Sequence, residues 1–154
     1  MDSIDRALLA QLQRDATQAY SALGKAVGLS SGATHERVRK LRERGVIRRT
    51  TVDVDPDALD QGVLAFVTVE ASSWMGGEAT AKALRALPWV LEAHIVAGSA
   101  SLLVKVRTGS TEELQSVLAR LYDLDGVTGT RTVVVLETFF ERPVDPAPPG
   151  GVDA

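Results

Sequence analysis

The spacing of apolar side chains changes once along this chain, and the change constrains the fold more than any other feature. From Ile4 to Leu41 apolar residues recur every three or four positions, the spacing of amphipathic helices. From Gly62 onward most stretches alternate apolar and polar residues, as half-buried strands do, with two helical stretches between them. Separate helical and strand-rich blocks predict an α+β protein with an all-helical N-terminal part.

Three short helices are predicted in the first third of the chain. Their predicted ranges are 4–14, 22–27 and 31–44, and their proposed N-terminal caps are Asp2 or Ser3, Ser21 and Ser30. Gly28 ends the second helix and Gly45 ends the third, the position that glycine favours at a helix C-terminus. Two helices joined by a tight glycine-containing turn are typical of a helix-turn-helix.

The third predicted helix has one buried and one outward face. Thr34, Val38 and Leu41 form its apolar stripe. In a recognition helix, the outward residues near the N-terminus meet base edges in the major groove. The residues predicted to face DNA are Ser31, Gly32, His35, Glu36, Arg37, Arg39 and Lys40, followed by Arg48 and Arg49 just past the helix.

Each outward residue has more than one interpretation. Gly32 either lets DNA approach the backbone closely or is simply tolerated there. Arg39 and Lys40 pair with guanine or hold phosphate, and Glu36 accepts a hydrogen bond from cytosine or only faces solvent. For Arg48 and Arg49 the alternatives are phosphate contacts and an ordinary exposed arm.

Charge is divided unevenly between the two blocks. Residues 1–50 contain ten basic and five acidic residues, a formal charge of +5, whereas the remainder carries −8. Seven of the ten N-terminal cations lie from Arg37 to Arg49. A basic region of this kind is typical of a polyanion-binding surface, and a solvated helix face is the alternative interpretation. The net charge of −3 therefore does not exclude a nucleic-acid partner.

The second block predicts a β-α-β-β-α-β unit, the order of ferredoxin-like sandwiches. Its predicted elements are strand 62–71, helix 78–87, strand 89–97, strand 101–107, a helix opened by a capping box at 110–113, and strand 130–140. Ala79, Ala83, Leu84 and Leu87 are the predicted inward residues of its first helix. Apolar residues also lie on the second face of the sheet, which predicts that another copy of the chain covers it in a two-fold dimer.

These patterns divide the chain into four parts. Residues 1–50 form the helix-turn-helix domain, extended in winged-helix fashion by a short strand at 46–54. Residues 51–61 complete that strand and form a linker. Residues 62–141 form the ferredoxin-like domain for effector binding and dimerisation. Residues 142–154, with four prolines, are expected to be disordered.

Several classes of function find no support in the residues. Without cysteine the chain has no thiolate metal site or cysteine nucleophile, and with only His35 and His94 no metal cluster is expected. No nucleophile–base pair or phosphate loop is visible, and His94 has no visible catalytic partner, so we expect neither an enzyme nor a cofactor. No signal peptide or membrane-spanning stretch is recognisable, and we expect a cytoplasmic protein.

The order of elements, with several short motifs, resembles the Lrp/AsnC family of prokaryotic regulators over about residues 3–141. The matching motifs are Ile4-Asp5-Arg6, Val27-Gly28-Leu29-Ser30, Gly45-Val46-Ile47, Val96-Ala97-Gly98, Asp125-Gly126-Val127 and Thr130-Arg131-Thr132. The resemblance implies an amino-acid or related small-metabolite effector and assembly beyond the dimer, for example to an octamer. The effector residues that it implies are Gly98, Ser99, Ala100, Ser101, Thr130 and Thr132.

The effector turn departs from the family pattern. Ser99 and Ser101 stand where the family usually has acidic residues. Without those carboxylates the effector differs from the family's, binds weakly, or has lost its site. The function predicted is a sequence-specific transcriptional regulator that binds double-stranded DNA. A metabolite-binding module or a small ferredoxin-like enzyme without DNA binding are the alternatives.

Overall fold

The computed structural model describes residues 1–147 of the chain. The helices are α1 (Ser3–Arg14), α2 (Tyr20–Val27), α3 (Ser31–Glu43), α4 (Glu78–Arg85) and α5 (Thr111–Tyr122), and the strands are β1 (Val63–Ala71), β2 (Val90–Ile95), β3 (Leu102–Thr108) and β4 (Val127–Val134). A 3₁₀ turn, Asp57–Leu59, precedes β1. The chain forms two compact units, one of Met1–Val52 with the segment from Phe140, the other of Asp53–Phe139.

The first unit is the predicted three-helix arrangement. Its core consists of Leu8, Leu23, Val38 and Leu41, each no more than 1% exposed. Asp2 begins α1 with a reciprocal capping box, in which its side chain accepts from the Asp5 N–H. The capping prediction is therefore confirmed for α1, with Asp2 as the cap.

The start of α2 was predicted incorrectly. The helix begins at Tyr20, two residues before the predicted start, and Ala19 occupies the N-cap position without a side-chain hydrogen bond. Ser21 lies inside the first turn and does not cap it. Favourable cap residues are preferences, and here packing of α2 against its neighbours sets the start.

The predicted strand at 46–54 is also wrong. Residues 46–54 contain no strand. Alternating side chains supply strand propensity, but a strand needs a hydrogen-bonded neighbour, and none of the described residues pairs with this segment. The first unit therefore lacks a wing in the described chain.

The segment after the last strand returns to α1. Arg6 Nη1 donates to the Pro146 carbonyl at 2.8 Å, and Gln13 Nε2 donates to the Val144 carbonyl at 2.9 Å. Residues 142–147 of the predicted disordered tail form neither helix nor strand. The rest of that prediction, residues 148–154, lies outside the described residues.

The second unit has the predicted ferredoxin-like order. Its four strands form one antiparallel sheet in the order β2-β3-β1-β4. Alternate residues of β1 and β3 point to one face, where they meet α4 and α5. The core consists of Ala65, Val67, Val69, Met75, Leu84, Leu87, Leu102, Val104, Val106, Leu114, Val117 and Leu121.

Three local predictions in the second unit need correction. Strand β4 begins three residues before the predicted start and ends at Val134, because β1 offers its last backbone contact to Val135. Helix α4 ends at Arg85, and Ala79, predicted to face inward, is exposed at its N-terminal turn. At α5, Ser110 accepts from the Glu113 N–H as expected, but the Glu113 carboxylate accepts from the N–H of Gly109.

Candidate nucleic-acid interface and ligand site

The turn between α2 and α3 is closed by backbone contacts and one cap. Gly28 takes a left-handed conformation, and the Leu29 N–H donates to the Gly24 carbonyl at 2.8 Å. Ser30 Oγ accepts from the Ala33 N–H at 3.2 Å and so begins α3. The local motif that predicted the turn is the one that forms it.

Gly24 permits the close approach of α2 to α3, a role that the sequence analysis missed. A Cβ at this position would lie 2.6 Å from the Leu29 carbonyl oxygen and 2.7 Å from Thr34 Oγ1. The Thr34 hydroxyl donates to the Ser30 carbonyl at 2.8 Å and is fully buried. Helix–helix proximity therefore depends on the missing side chain of Gly24.

The buried and outward faces of α3 are those predicted. Thr34, Val38 and Leu41 are at most 1% exposed. Ser31, Gly32, His35, Arg39 and Lys40 are exposed, and Glu36 and Arg37 are half-buried. The helix thus presents one continuous polar surface to solvent.

Arg37 is directed to α1 by two ion pairs. Its Nη1 lies 2.7 Å from Asp2 Oδ2 and 2.7 Å from Asp5 Oδ1. These contacts raise the pKa of the Arg37 guanidinium, and the Asp5 N–H followed by Arg37 lowers the pKa of Asp2. No sequence signal links residues more than 30 positions apart, so these partners were not predicted.

The centre of the outward face carries four charges that pair among themselves, which we call the outward charge network: Glu36, Arg39, Lys40 and Glu43. Arg39 donates from Nε and Nη2 to the two carboxylate oxygens of Glu36, at 2.9 and 2.6 Å, and from Nη1 to Glu43. Lys40 Nζ lies 3.5 Å from Glu36 Oε1. The hydrogen bonds from Arg39 lower the pKa of Glu36 to about 2.

Tyr20 is a further residue of this surface that the sequence analysis did not single out. Its ring meets that of His35 edge-on, with centroids 4.9 Å apart. Its hydroxyl accepts from Arg42 Nη1 at 3.3 Å. The first residue of α2 therefore holds two side chains of α3.

Arg48 and Arg49 extend the basic surface beyond α3. Both are exposed, and neither has an ion-pair partner among residues 1–147. Together with Arg42 they line a groove of about 350 Å³ whose other wall includes Leu9 and Leu12 of α1. Their charge is available to a polyanion.

The predicted effector turn joins β2 to β3. Gly98 has a φ of 135°, the Val96 N–H donates to the Ser101 carbonyl, and the Ser101 N–H donates to the Val69 carbonyl at 2.8 Å. Val69 is also the register partner of Thr130 on β4. The turn and Thr130 therefore lie on either side of the same residue of β1.

The side chains of the turn are accessible. Ser99 is exposed, whereas Ala100, Ser101, Thr130 and Thr132 are half-buried. Thr132 is the register partner of Val67, so both threonines point to the helix-covered face at the sheet edge. The structure brings the predicted residues to one end of the sheet, with no acidic side chain among them.

A separate groove in the second unit was not predicted. It has a volume of about 300 Å³ and runs between α4 and the exposed edge strand β2. Met75, Leu84, Leu91, Ile95 and Leu102 supply its apolar lining, and none of the predicted effector residues lines it.

Neither a metal cluster nor a membrane-spanning helix is found within residues 1–147. No group of three or more His, Asp or Glu side chains is placed to hold a metal ion there. No helix in that range is long and apolar enough to cross a membrane.

A helix-turn-helix with an exposed, charged third helix, in one chain with a ferredoxin-like unit, defines a class of DNA-binding regulator. Residues 1–42 match the AsnC-type helix-turn-helix domain, and residues 63–145 match the Lrp/AsnC ligand binding domain. The chain therefore belongs to the Lrp/AsnC family, and it is a DNA-binding transcriptional regulator of that type.

Individual relatives agree with this assignment along nearly the whole chain. The chain is 37% identical over 141 residues to the HTH-type transcriptional regulator FL11 of Pyrococcus horikoshii, covering 92% of this chain and 93% of that protein. It is 33% identical to the regulatory protein AsnC of Haemophilus influenzae, covering 95% and 98%. The structure of Escherichia coli AsnC superimposes with a TM-score of 0.86 at 31% identity, covering 94% and 98%.

Proposed function

We propose that α3 is the recognition helix of this regulator and that it enters the DNA major groove with Ser31, Gly32, His35, Glu36, Arg39 and Lys40. The observation that carries the proposal is the division of α3 into a fully buried stripe and an exposed polar face. Arg48 and Arg49 neutralise backbone phosphates. Arg37 holds α3 against α1, so we assign it a positioning role in place of the DNA contact predicted from the sequence.

The test is an anisotropy titration of the purified protein with DNA from upstream of its own gene. Arg39→Ala and Lys40→Ala are expected to weaken binding, because each removes a cation from the recognition surface. Arg85→Ala is the matched control, since Arg85 is an exposed, ion-paired arginine of the second unit. Equal binding by all four proteins would contradict the proposal.

For the second unit we propose an amino acid or related small metabolite as effector, held by Gly98, Ser99, Ala100, Ser101, Thr130 and Thr132. The support is the match to the Lrp/AsnC ligand binding domain and the placement of these residues at one end of the sheet. With serines in the turn, recognition depends on hydroxyl and backbone groups.

A thermal-shift screen of the twenty amino acids and related metabolites tests the effector site. A ligand at one hundred times its dissociation constant stabilises a protein by about 2.7 kcal/mol, a rise of several degrees in Tm. Thr130→Val is expected to remove that rise, whereas Thr128→Val, an exposed position on the same strand, is expected to keep it. A screen without any rise, or a rise unaffected by Thr130→Val, would contradict this site.

We further propose that the chain acts as a cytoplasmic homodimer that assembles to higher oligomers such as an octamer. The open face of the sheet carries Phe66 and Val133, and Val133 is 62% exposed. A second copy of the same face would bury these side chains in a two-fold interface. Such a dimer offers two recognition helices to two half-sites.

A further inference from the structure

The outward charge network leaves the centre of α3 electrically neutral. Two carboxylates and two cations face solvent there, and Arg39 is bonded to both Glu36 and Glu43. Glu36 also attracts Lys40. The two cations best placed to meet DNA are therefore already paired within the free protein.

The free positive charge lies at the end of α3 and beyond it. Arg44, Arg48 and Arg49 have no ion-pair partner among residues 1–147. These flanking cations can attract any DNA, because phosphate contacts carry no sequence information. The neutral centre contributes no such attraction.

Contact between the centre of α3 and DNA exposes Glu36 to phosphate. If Arg39 or Lys40 turns to a phosphate, the Glu36 carboxylate loses a partner and is repelled by the same polyanion. A base edge that donates a hydrogen bond, such as the cytosine amino group in the major groove, compensates for that loss. Most sequences do not present such a donor at the right position.

We propose that Glu36 is a specificity-determining residue: it withholds Arg39 and Lys40 from arbitrary DNA and releases them where a base donates to its carboxylate. The inference rests on the proposed role of α3 as recognition helix. Its physical basis is discrimination by penalty, in which wrong partners leave a charge unpaired. The lowered pKa of Glu36 keeps its carboxylate charged at neutral pH.

The experiment compares two duplexes of equal composition, one selected from a random pool by the wild-type protein and one shuffled. Glu36→Gln is expected to bind the shuffled duplex about 3- to 10-fold more tightly than wild type does, with a steeper salt dependence by about 0.9 for each released cation. Its affinity for the selected duplex stays equal or falls. Glu78→Gln, which removes a carboxylate paired with Arg85 in the second unit, is expected to change neither affinity.

Glu43→Gln separates the role of Glu36 from a plain effect of net charge. It removes one charge from the same network but leaves the two bonds from Arg39 to Glu36 intact. We expect a smaller gain for the shuffled duplex than Glu36→Gln produces. An equal gain, or a Glu36→Gln protein that keeps the wild-type ratio of affinities, would overturn the inference while DNA binding stands. A wild-type protein that binds neither duplex would overturn the proposed function as well.

Discussion

Neighbouring charged side chains on α3 differ in what their partners leave them free to do. Arg37 and Arg39 are two residues apart, yet Arg37 is tied to Asp2 and Asp5 of α1 and Arg39 to carboxylates of its own helix. Arg48 has no such partner in the described chain. A basic cluster that looks uniform in sequence therefore divides into positioning, paired and free cations.

The positioning role of Arg37 predicts a distinct effect on DNA binding. Arg37→Gln is expected to weaken affinity without changing the salt slope, because the lost contacts are with Asp2 and Asp5 and not with phosphate. Lys40→Gln is expected to lower the slope by about 0.9, as loss of one phosphate contact does. Anisotropy titrations at several salt concentrations measure both. A lower slope for Arg37→Gln would show instead that Arg37 contacts phosphate.

The pairing of Glu36 predicts its behaviour in acid. Its pKa is lowered from 4.5 to about 2, so its ion pairs contribute to stability fully above pH 4.5 and are lost as the pH falls through about 2. Carboxyl-carbon NMR of the glutamate side chains is expected to show Glu36 still ionised at pH 3.5. In Arg39→Gln the midpoint is expected to return towards 4.5. A wild-type midpoint near 4.5 would contradict the pairing.

At the scale of elements, α2 and α3 approach closely because Gly24 has no side chain. Gly24→Ala is expected to destabilise the protein by about 1–3 kcal/mol, because its Cβ would meet the backbone of Leu29. Gly32→Ala is the matched control, since nothing lies within 4 Å of its Cβ. That substitution is expected to stabilise α3 by roughly 0.5–1 kcal/mol. Urea unfolding followed by circular dichroism distinguishes these signs, and a stable Gly24→Ala protein would contradict the packing.

Local signals determined which elements could be predicted. The bounds of α3 follow from Ser30 and Gly45, both read from sequence, and the buried stripe follows from helical spacing. The segment at 46–54 alternates equally well but has no neighbouring strand, and β4 stops where β1 stops pairing. Strand pairing and the Arg37 partners depend on residues distant in sequence, which single-sequence patterns do not reveal.

At the scale of the whole molecule, the two units differ in charge and in the surfaces that they expose. The basic residues are concentrated in the helix-turn-helix, while the sheet of the acidic remainder exposes apolar side chains on its open face. The candidate effector site was predicted to the level of its residues, but its accessibility and the groove beside α4 depend on the folded sheet.

The proposed dimer predicts the effect of a charge on the open face. Val133→Glu is expected to shift the protein from dimer to monomer, because a two-fold interface would bring two buried carboxylates together. Val52→Glu, at an exposed position of the first unit, is expected to leave the dimer intact. Light scattering coupled to size-exclusion chromatography measures the mass of each. A Val133→Glu protein that remains dimeric would place the interface elsewhere.

The account as a whole depends on DNA binding through the cations of the first unit, and the salt dependence of that binding tests it most directly. If Lys40, Arg48 and Arg49 each neutralise one phosphate in both halves of a dimer, the plot of log affinity against log salt has a slope of about −5. Binding that does not change with salt, or a slope that is the same in Arg48→Ala and Arg49→Ala, would contradict it.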